Sequence, residues 1–437
     1  MPRPPSDRTK GPVLNALASH HGSLAGLRVL DLSRVLAGPL CTQMLADHGA
    51  EVIKVEPPAG DETRTWGPPF VSETMSAYFS GINRNKKNVS LDLRTEDGQR
   101  VLGRLISQAD VLVENFKAGT LAKWGYSDQM LREQFPELIQ CRITGFGVDG
   151  PMGAMPGYDA VLQAYSGLMS INGEPDGPAL RVGVPIVDMV TGVYAFSGIL
   201  LALNDRTRTG LGQLVDCTLV DTAVSLLHPH SHSHLGDGRV PQRTGSAHPT
   251  IAPYDTFDAA GGQIFIGAGN NRQFQSLVSL LEIPEAALDP RFATNSDRVQ
   301  NRKVLRMLLA QAIVSRPASV LAEELLALGV PASQVNNVAQ ALQDPHILHR
   351  KMVVDKDGHR SVGIPIKLSR TPGKVVTSPR DRGADTRRVL ARLGYGPEEI
   401  DALIEADVAQ SNSANVINTA CTTNVWPSAE TTEARGR

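Results

Sequence analysis

Leu27-Arg-Val-Leu-Asp-Leu-Ser33, Arg34-Val35-Leu36-Ala37-Gly38-Pro39, the run through Met44 and Leu45 to Gly49, and Ala50-Glu-Val-Ile-Lys-Val-Glu56 follow one another without interruption. The first segment reads as a strand by its apolar content. The second is a turn into a helix, with Pro39 at its first position, where a missing N–H costs nothing. Gly49 lies where the helix must stop, and the lack of a Cβ suits the left-handed position there. Ala50 to Glu56 is a second strand. Strand, tight turn, helix, strand begins a parallel α/β sheet.

Moving outward, further strands are expected at 89–93, 111–116, 138–144 and 214–217, with helices between, one of them at 158–169. From about Thr250 a smaller α/β unit follows: a strand at 263–266, then helices around 272–283, 294–315 and 317–328. The fold class is therefore α/β, a large domain plus a smaller one. We assign 1–25 to a flexible arm, 26–225 to the large domain, 226–340 to a linker and the small domain, 341–410 to a return to the large domain, and 411–437 to a disordered tail rich in Ser, Thr, Asn and Ala.

The first turn lacks G-x-G-x-x-G, which argues against NAD or FAD. Gly267-Ala-Gly269-Asn-Asn is a fragment of a phosphate-loop pattern, best read alone as a strand-to-helix turn. The chain has 437 residues, 41% hydrophobic and 20% charged, with a net charge of −2, so no basic face argues for nucleic acid or an anionic membrane. No run approaches the roughly 20 uninterrupted apolar residues of a membrane span. Cys41, Cys141, Cys217 and Cys421 lack C-x-x-C spacing, which points to free thiols in a reducing compartment. The expected location is cytoplasmic, with the mitochondrial matrix as the alternative because the arm carries Arg3, Arg8 and Lys10. His228-Pro-His-Ser-His-Ser-His234 invites a zinc hypothesis, but Pro229 interrupts the periodicity and no carboxylate is near, so surface histidines are the better reading and no metal is expected.

Arg181-Val-Gly-Val-Pro-Ile-Val-Asp188 leads into a mostly apolar helix of about four turns, so Asp188 lies at a helix N-terminus. It can be an N-cap, or a carboxylate nucleophile kept ionised by the helix end, and the two are compatible.

In order, Val35-Leu-Ala-Gly-Pro, Gly49-Ala-Glu-Val-Ile-Lys-Val-Glu, Asn83-Arg-Asn-Lys-Lys, Val113-Glu-Asn-Phe, Thr144-Gly-Phe-Gly, Gly157-Tyr-Asp, Asp188 and Arg208-Thr-Gly-Leu-Gly-Gln resemble the family III CoA-transferases, also named after carnitine and bile-acid CoA-transferases, over about residues 25–408. The resemblance implies a Rossmann-like large domain, a small domain, and two chains interlocked as a homodimer. It makes Asp188 the catalytic aspartate, and coenzyme A thioesters substrates, with no permanently bound cofactor. For CoA it points to Val35, Leu36, Ala37, Leu91, Asn115, Phe116 and Lys123, with Tyr158 and Asp159 beside them and Arg84, Lys86 and Lys87 as candidates for its phosphates. Some relatives carry a basic residue where this chain has Pro57-Pro58, which puts adenine or phosphate contacts there in doubt.

Asp61 to Phe70, Asn83 to Lys87 and Gly267 to Phe274 look most like the dicarboxylate branch, which includes succinyl-CoA:hydroxymethylglutarate (glutarate) and itaconate CoA-transferases. Arg64, Arg243 and His248 are candidates for a second substrate carboxylate. Gly267 and Gly269 are candidates for a loop over Asp188 that offers backbone N–H groups. The alternatives are an α-methylacyl-CoA racemase on the same fold, in which His-Asp stands where this chain has Tyr158-Asp159, and an inactive CoA-binding protein.

Overall fold

A computed structural model describes residues 22–412. The expectations for the N-terminal arm and the C-terminal tail fall almost wholly on 1–21 and 413–437, outside the described residues. The chain builds β1 (Arg28–Asp31), α1 (Ala37–Asp47), β2 (Glu51–Glu56), β3 (Lys86–Leu91), α2 (Glu96–Gln108), β4 (Val111–Glu114), β5 (Ile139–Thr144), α3 (Asp159–Tyr165), α4 (Ile186–Thr209) and β6 (Leu214–Thr218). Then come β7 (Tyr254–Ala259), β8 (Gly262–Gly267), β9 (Ala332–Gln334) and β10 (Ala409–Gln410).

Seven strands form one sheet in the order β10-β3-β2-β1-β4-β5-β6. All neighbours are parallel except β10, which pairs antiparallel with β3. Parallel strands are covered on both faces, so they read as continuous apolar runs. One face packs α1 and α4 through Cys41, Leu45, Val187, Ala195 and Ile199. The other packs α2 and the helices Thr386–Arg392 and Pro397–Glu405 through Leu102, Leu105, Val389 and Leu403. A separate core of Phe257, Ile264, Phe274, Leu277, Leu309 and Leu321 surrounds the three-stranded antiparallel sheet β9-β8-β7.

Three local expectations are corrected. β3 begins at Lys86, three residues earlier than expected, so the last residues of the basic run lie within the strand. The histidine run is helical, over His230–Asp237, because Pro229 stands at the N-cap and does not interrupt it. Asp188 is not the cap of α4 but its third residue, and Pro185 holds the cap position. Among the described residues α4 alone is long and apolar enough to cross a membrane, yet one of its faces is buried against α1 and the sheet. Two glycines allow this packing. A Cβ at Gly192 would lie 2.7 Å from the Ala37 carbonyl, and one at Gly38 would lie 2.3 Å from the Ser33 side chain.

Candidate active site

From β1 the sheet grows one way through β2 to β3 and the other way through β4 to β6. The loops leaving β1 and β4 therefore diverge, which opens a crevice at the carboxyl ends of the strands. A cleft of about 330 Å³ occupies it, lined by 34–37 after β1, 115–118 after β4, Ile143, Thr144, Gly145 and Gly147 at the end of β5, Tyr158 and Asp188. Of the residues expected to bind CoA, Val35, Leu36, Ala37, Asn115, Phe116 and Tyr158 are brought together here with Asp188.

Asp159 lies just behind Asp188. One of its carboxylate oxygens accepts from the backbone N–H groups of Val187, at 2.7 Å, and Asp188, at 3.0 Å. It thus caps α4 from a distant point in the sequence, doing what Pro185 cannot. Its other oxygen accepts from the Gln163 amide, whose own oxygen takes the Val182 N–H. The Asp188 carboxyl is left to the cleft, and no described residue donates to it. Burial, and then the neighbouring Asp159 charge, push its pKa up to about 7.

Tyr78, in the short helix Ala77–Ser80, was not among the residues expected from the sequence; its ring packs edge-on against Trp66. Burial, and then the charges of Asp188, Asp159 and Asp61, raise its pKa to about 12, so its phenol stays protonated near the carboxyl. Nothing in its four-residue segment marks it as functional; only the fold brings it within range of the Asp188 charge, and it lies outside the cleft lining. Arg34, Glu62 and Lys117 line the cleft, and none was singled out from sequence. The Arg34 Nε is buried with no partner.

The other candidates lie elsewhere. Leu91 is fully buried in the core under β3. Lys123 ends the short helix Thr120–Lys123, exposed and apart from the cleft lining. Arg84 is buried against Asp47 in a two-pronged pair, at 2.9 and 2.7 Å. Lys86 is buried on Asp31, the Pro39 carbonyl and Asn83, and Lys87 pairs with Glu51. Burial lowers the Lys86 pKa to about 8 despite the Asp31 charge. Arg64 makes a fork onto Glu56, at 2.7 and 2.8 Å, over the Phe79 ring, and lies outside the cleft lining.

Arg243 donates to the carbonyls of Glu174, Ser170 and Gly177, tying down that loop. His248 packs on Tyr254 at the root of the three-stranded sheet. The N–H groups of Gly267 and Gly269 are engaged by the Pro331 carbonyl and the Gln273 side chain, so neither glycine offers a free donor. Among the described residues no group of three or more His, Cys, Asp or Glu is placed to hold a metal ion.

Comparison with known proteins adds to this geometry. The model of the family described as CoA-transferase family III matches residues 24–386. A succinate–glutarate CoA-transferase of Agrobacterium fabrum is 41% identical over 381 residues, 85% of this chain and 95% of that protein. The human succinyl-CoA:glutarate CoA-transferase is 37% identical, covering 90% of this chain and 91% of that one. A crystal structure of a CAIB/BAIF family protein from Brucella suis is 42% identical, with a TM-score of 0.79 over 85% of this chain and all of that one.

Proposed function

The chain belongs to CoA-transferase family III, and on that premise we propose that it moves CoA from succinyl-CoA to a small dicarboxylate, such as glutarate, hydroxymethylglutarate or itaconate, through covalent intermediates on Asp188. The observation that carries this reading is the position of Asp188. It is a part-buried carboxyl with no protein donor, at the crevice where β1 and β4 diverge, facing the 35–37 turn across a cleft large enough for a thioester arm.

In the proposed sequence an Asp188 oxygen attacks the thioester carbonyl of the donor. The C–S bond breaks, CoA leaves as thiolate and a mixed anhydride remains. The thiolate then attacks the Asp188 carbonyl of that anhydride, succinate departs and an aspartyl-CoA thioester is left. The acceptor carboxylate attacks this thioester, again releasing thiolate and forming an anhydride. The thiolate finally attacks the acceptor's acyl carbonyl, which frees Asp188. The bonds exchanged are of similar energy, so the protein's task is positioning and the exclusion of water. A pKa near 7 leaves a substantial ionised fraction at neutral pH in a carboxylate less solvated than one in water.

Dicarboxylate specificity needs a cation for the distal carboxylate. Arg64 and Arg243 lie outside the cleft lining, whereas Arg34 lines it with an unpaired Nε, which supports Arg34 in that role. The names of the relatives support the substrate class, since a succinyl-CoA:mesaconate CoA-transferase of Haloarcula hispanica is 41% identical over 80% of this chain and 91% of its own. A homodimer is part of the same reading. It is supported by the outward face of α4, where Met189, Val193, Tyr194 and Leu201 are exposed. The division into large and small domains is supported by the separate cores.

The test is a panel of donors and acceptors with CoA products identified by mass spectrometry. Succinyl-CoA with a C5 or C6 dicarboxylate is expected to exceed any monocarboxylate by a wide margin. A preference for acetate or carnitine would contradict the assignment.

A further inference from the structure

The turn that faces Asp188 is held in a costly conformation. Val35 has φ of +70°, a region that β-branched residues rarely adopt, because the Cβ crowds the following carbonyl. Such a residue persists only where its surroundings over-determine it. Here they do. The Leu32 N–H goes to the Val113 carbonyl, and the Ser33 N–H to Asp31. Asn115 takes both sides of Arg34, accepting its N–H at 2.9 Å and donating to its carbonyl at 2.8 Å. The Ser33 carbonyl accepts from the Lys54 ammonium at 2.7 Å.

Lys54 is 1% exposed and sits 3.1 Å from Asp61, whose other oxygen reaches toward the Val35 N–H at 3.5 Å. The interior around it is neutral overall: Asp31, Glu56 and Asp61 against Lys54, Arg64 and Lys86, all buried. A packed apolar core would have been an ordinary alternative to such a cluster. What these charges do, and methylenes could not, is grip backbone groups of the turn.

We propose that Lys54, with Asp61 as its counter-ion, is a positioning residue that holds Val35 in its left-handed conformation and so sets the wall of the cleft against which the acyl-CoA lies. This rests on the reading of the cleft as the acyl-CoA site. Lys54 touches no substrate; it acts through Ser33 and Val35.

The experiment crosses two substitutions, Lys54→Met and Val35→Gly, and measures kcat and KM for succinyl-CoA in all four proteins. Glycine enters positive φ without strain, so a clamp on residue 35 matters less when glycine is there. In the otherwise wild-type chain Lys54→Met is expected to raise the KM for succinyl-CoA tenfold or more with kcat within threefold; added to Val35→Gly, the same substitution should raise it less than threefold. Equal fold-changes in both backgrounds, or a loss of folded protein with KM unchanged, would overturn the proposal.

Should Lys54→Met not fold, Val35→Gly and Val35→Ala provide a comparison that leaves every interior charge in place and needs no turnover. Glycine is ordinarily the less stable of the two through its greater freedom when unfolded. If the turn is strained as described, Val35→Gly melts about 2 °C or more above Val35→Ala. The reverse order would overturn the proposal. Because the melting comparison is independent of transfer, a failed transfer assay of the wild-type enzyme would count against the function and not against the clamp.

Discussion

Asp188 titrates near neutrality because it is removed from water and faces a second carboxyl, and both effects favour the protonated form. The rate of its acylation by succinyl-CoA is therefore expected to rise with pH through about 7 and level off above it, and a rate flat from pH 5.5 to 8.5 would contradict this. The same shift has a stability consequence. A folded-state pKa raised above the unfolded value means that the native protein holds the proton longer. Ionising the group then costs stability that begins to be lost as pH rises above about 4, with the loss complete above 7. Asp188→Asn removes that cost, so the variant should melt higher than the wild type, by more at pH 8 than at pH 5. An equal gain at both, or a loss at pH 8, would show that the carboxyl is not destabilised. At this scale the sequence was only partly legible. Val35, Ala37 and Asn115 fall in short contiguous motifs at strand ends and reach the cleft. Arg64, Arg84 and Lys86 looked equally suitable as anion binders, but Glu56, Asp47 and Asp31 neutralise them inside the fold, and pairing with residues up to 55 positions away leaves no local trace.

The elements were easier to read, because their periodicity is local. Strand, helix, Gly49 stop and second strand appear as expected at β1, α1 and β2, except that α1 starts at Ala37, which makes Pro39 its third residue and not its first. What the pattern could not show is how α4 begins. Asp188 resembled a cap because Asp commonly is one, whereas the cap comes from Asp159, 29 residues earlier. Nor does local sequence reveal how closely α4 approaches α1. Gly192, one turn beyond Asp188, abuts the Ala37 carbonyl, so Gly192→Ala must push α4 away from the turn that faces the carboxyl. We expect a stability loss of about 1–3 kcal/mol by overpacking, and a kcat reduced at least tenfold in the protein that remains folded. Full activity would mean that the spacing of α1 and α4 does not set the position of Asp188.

For the molecule as a whole, composition and the βαβ start were enough for an α/β class with a sheet that is mostly parallel. The strand order followed only from pairing. That order places the crevice between β1 and β4, and with it the convergence of several separate loops on one cleft. The outward apolar face of α4 includes Leu201 at 71% exposure, unusual for a helix whose opposite face is core. Sedimentation is expected to give a mass about twice 46.8 kDa at micromolar concentration, and a monomer there would contradict the proposed dimer.

The central claim is that the Asp188 carboxylate takes CoA covalently. Its most direct test is to incubate the enzyme with succinyl-CoA and no acceptor, quench, and map the adduct by peptide mass spectrometry after trapping with hydroxylamine or borohydride. The expected result is a hydroxamate or reduced side chain at Asp188 and nowhere else, absent from a folded Asp188→Asn variant whose transfer rate has fallen by several orders of magnitude. An unmodified Asp188, or an Asp188→Asn enzyme that transfers CoA at a rate near wild type, would contradict it.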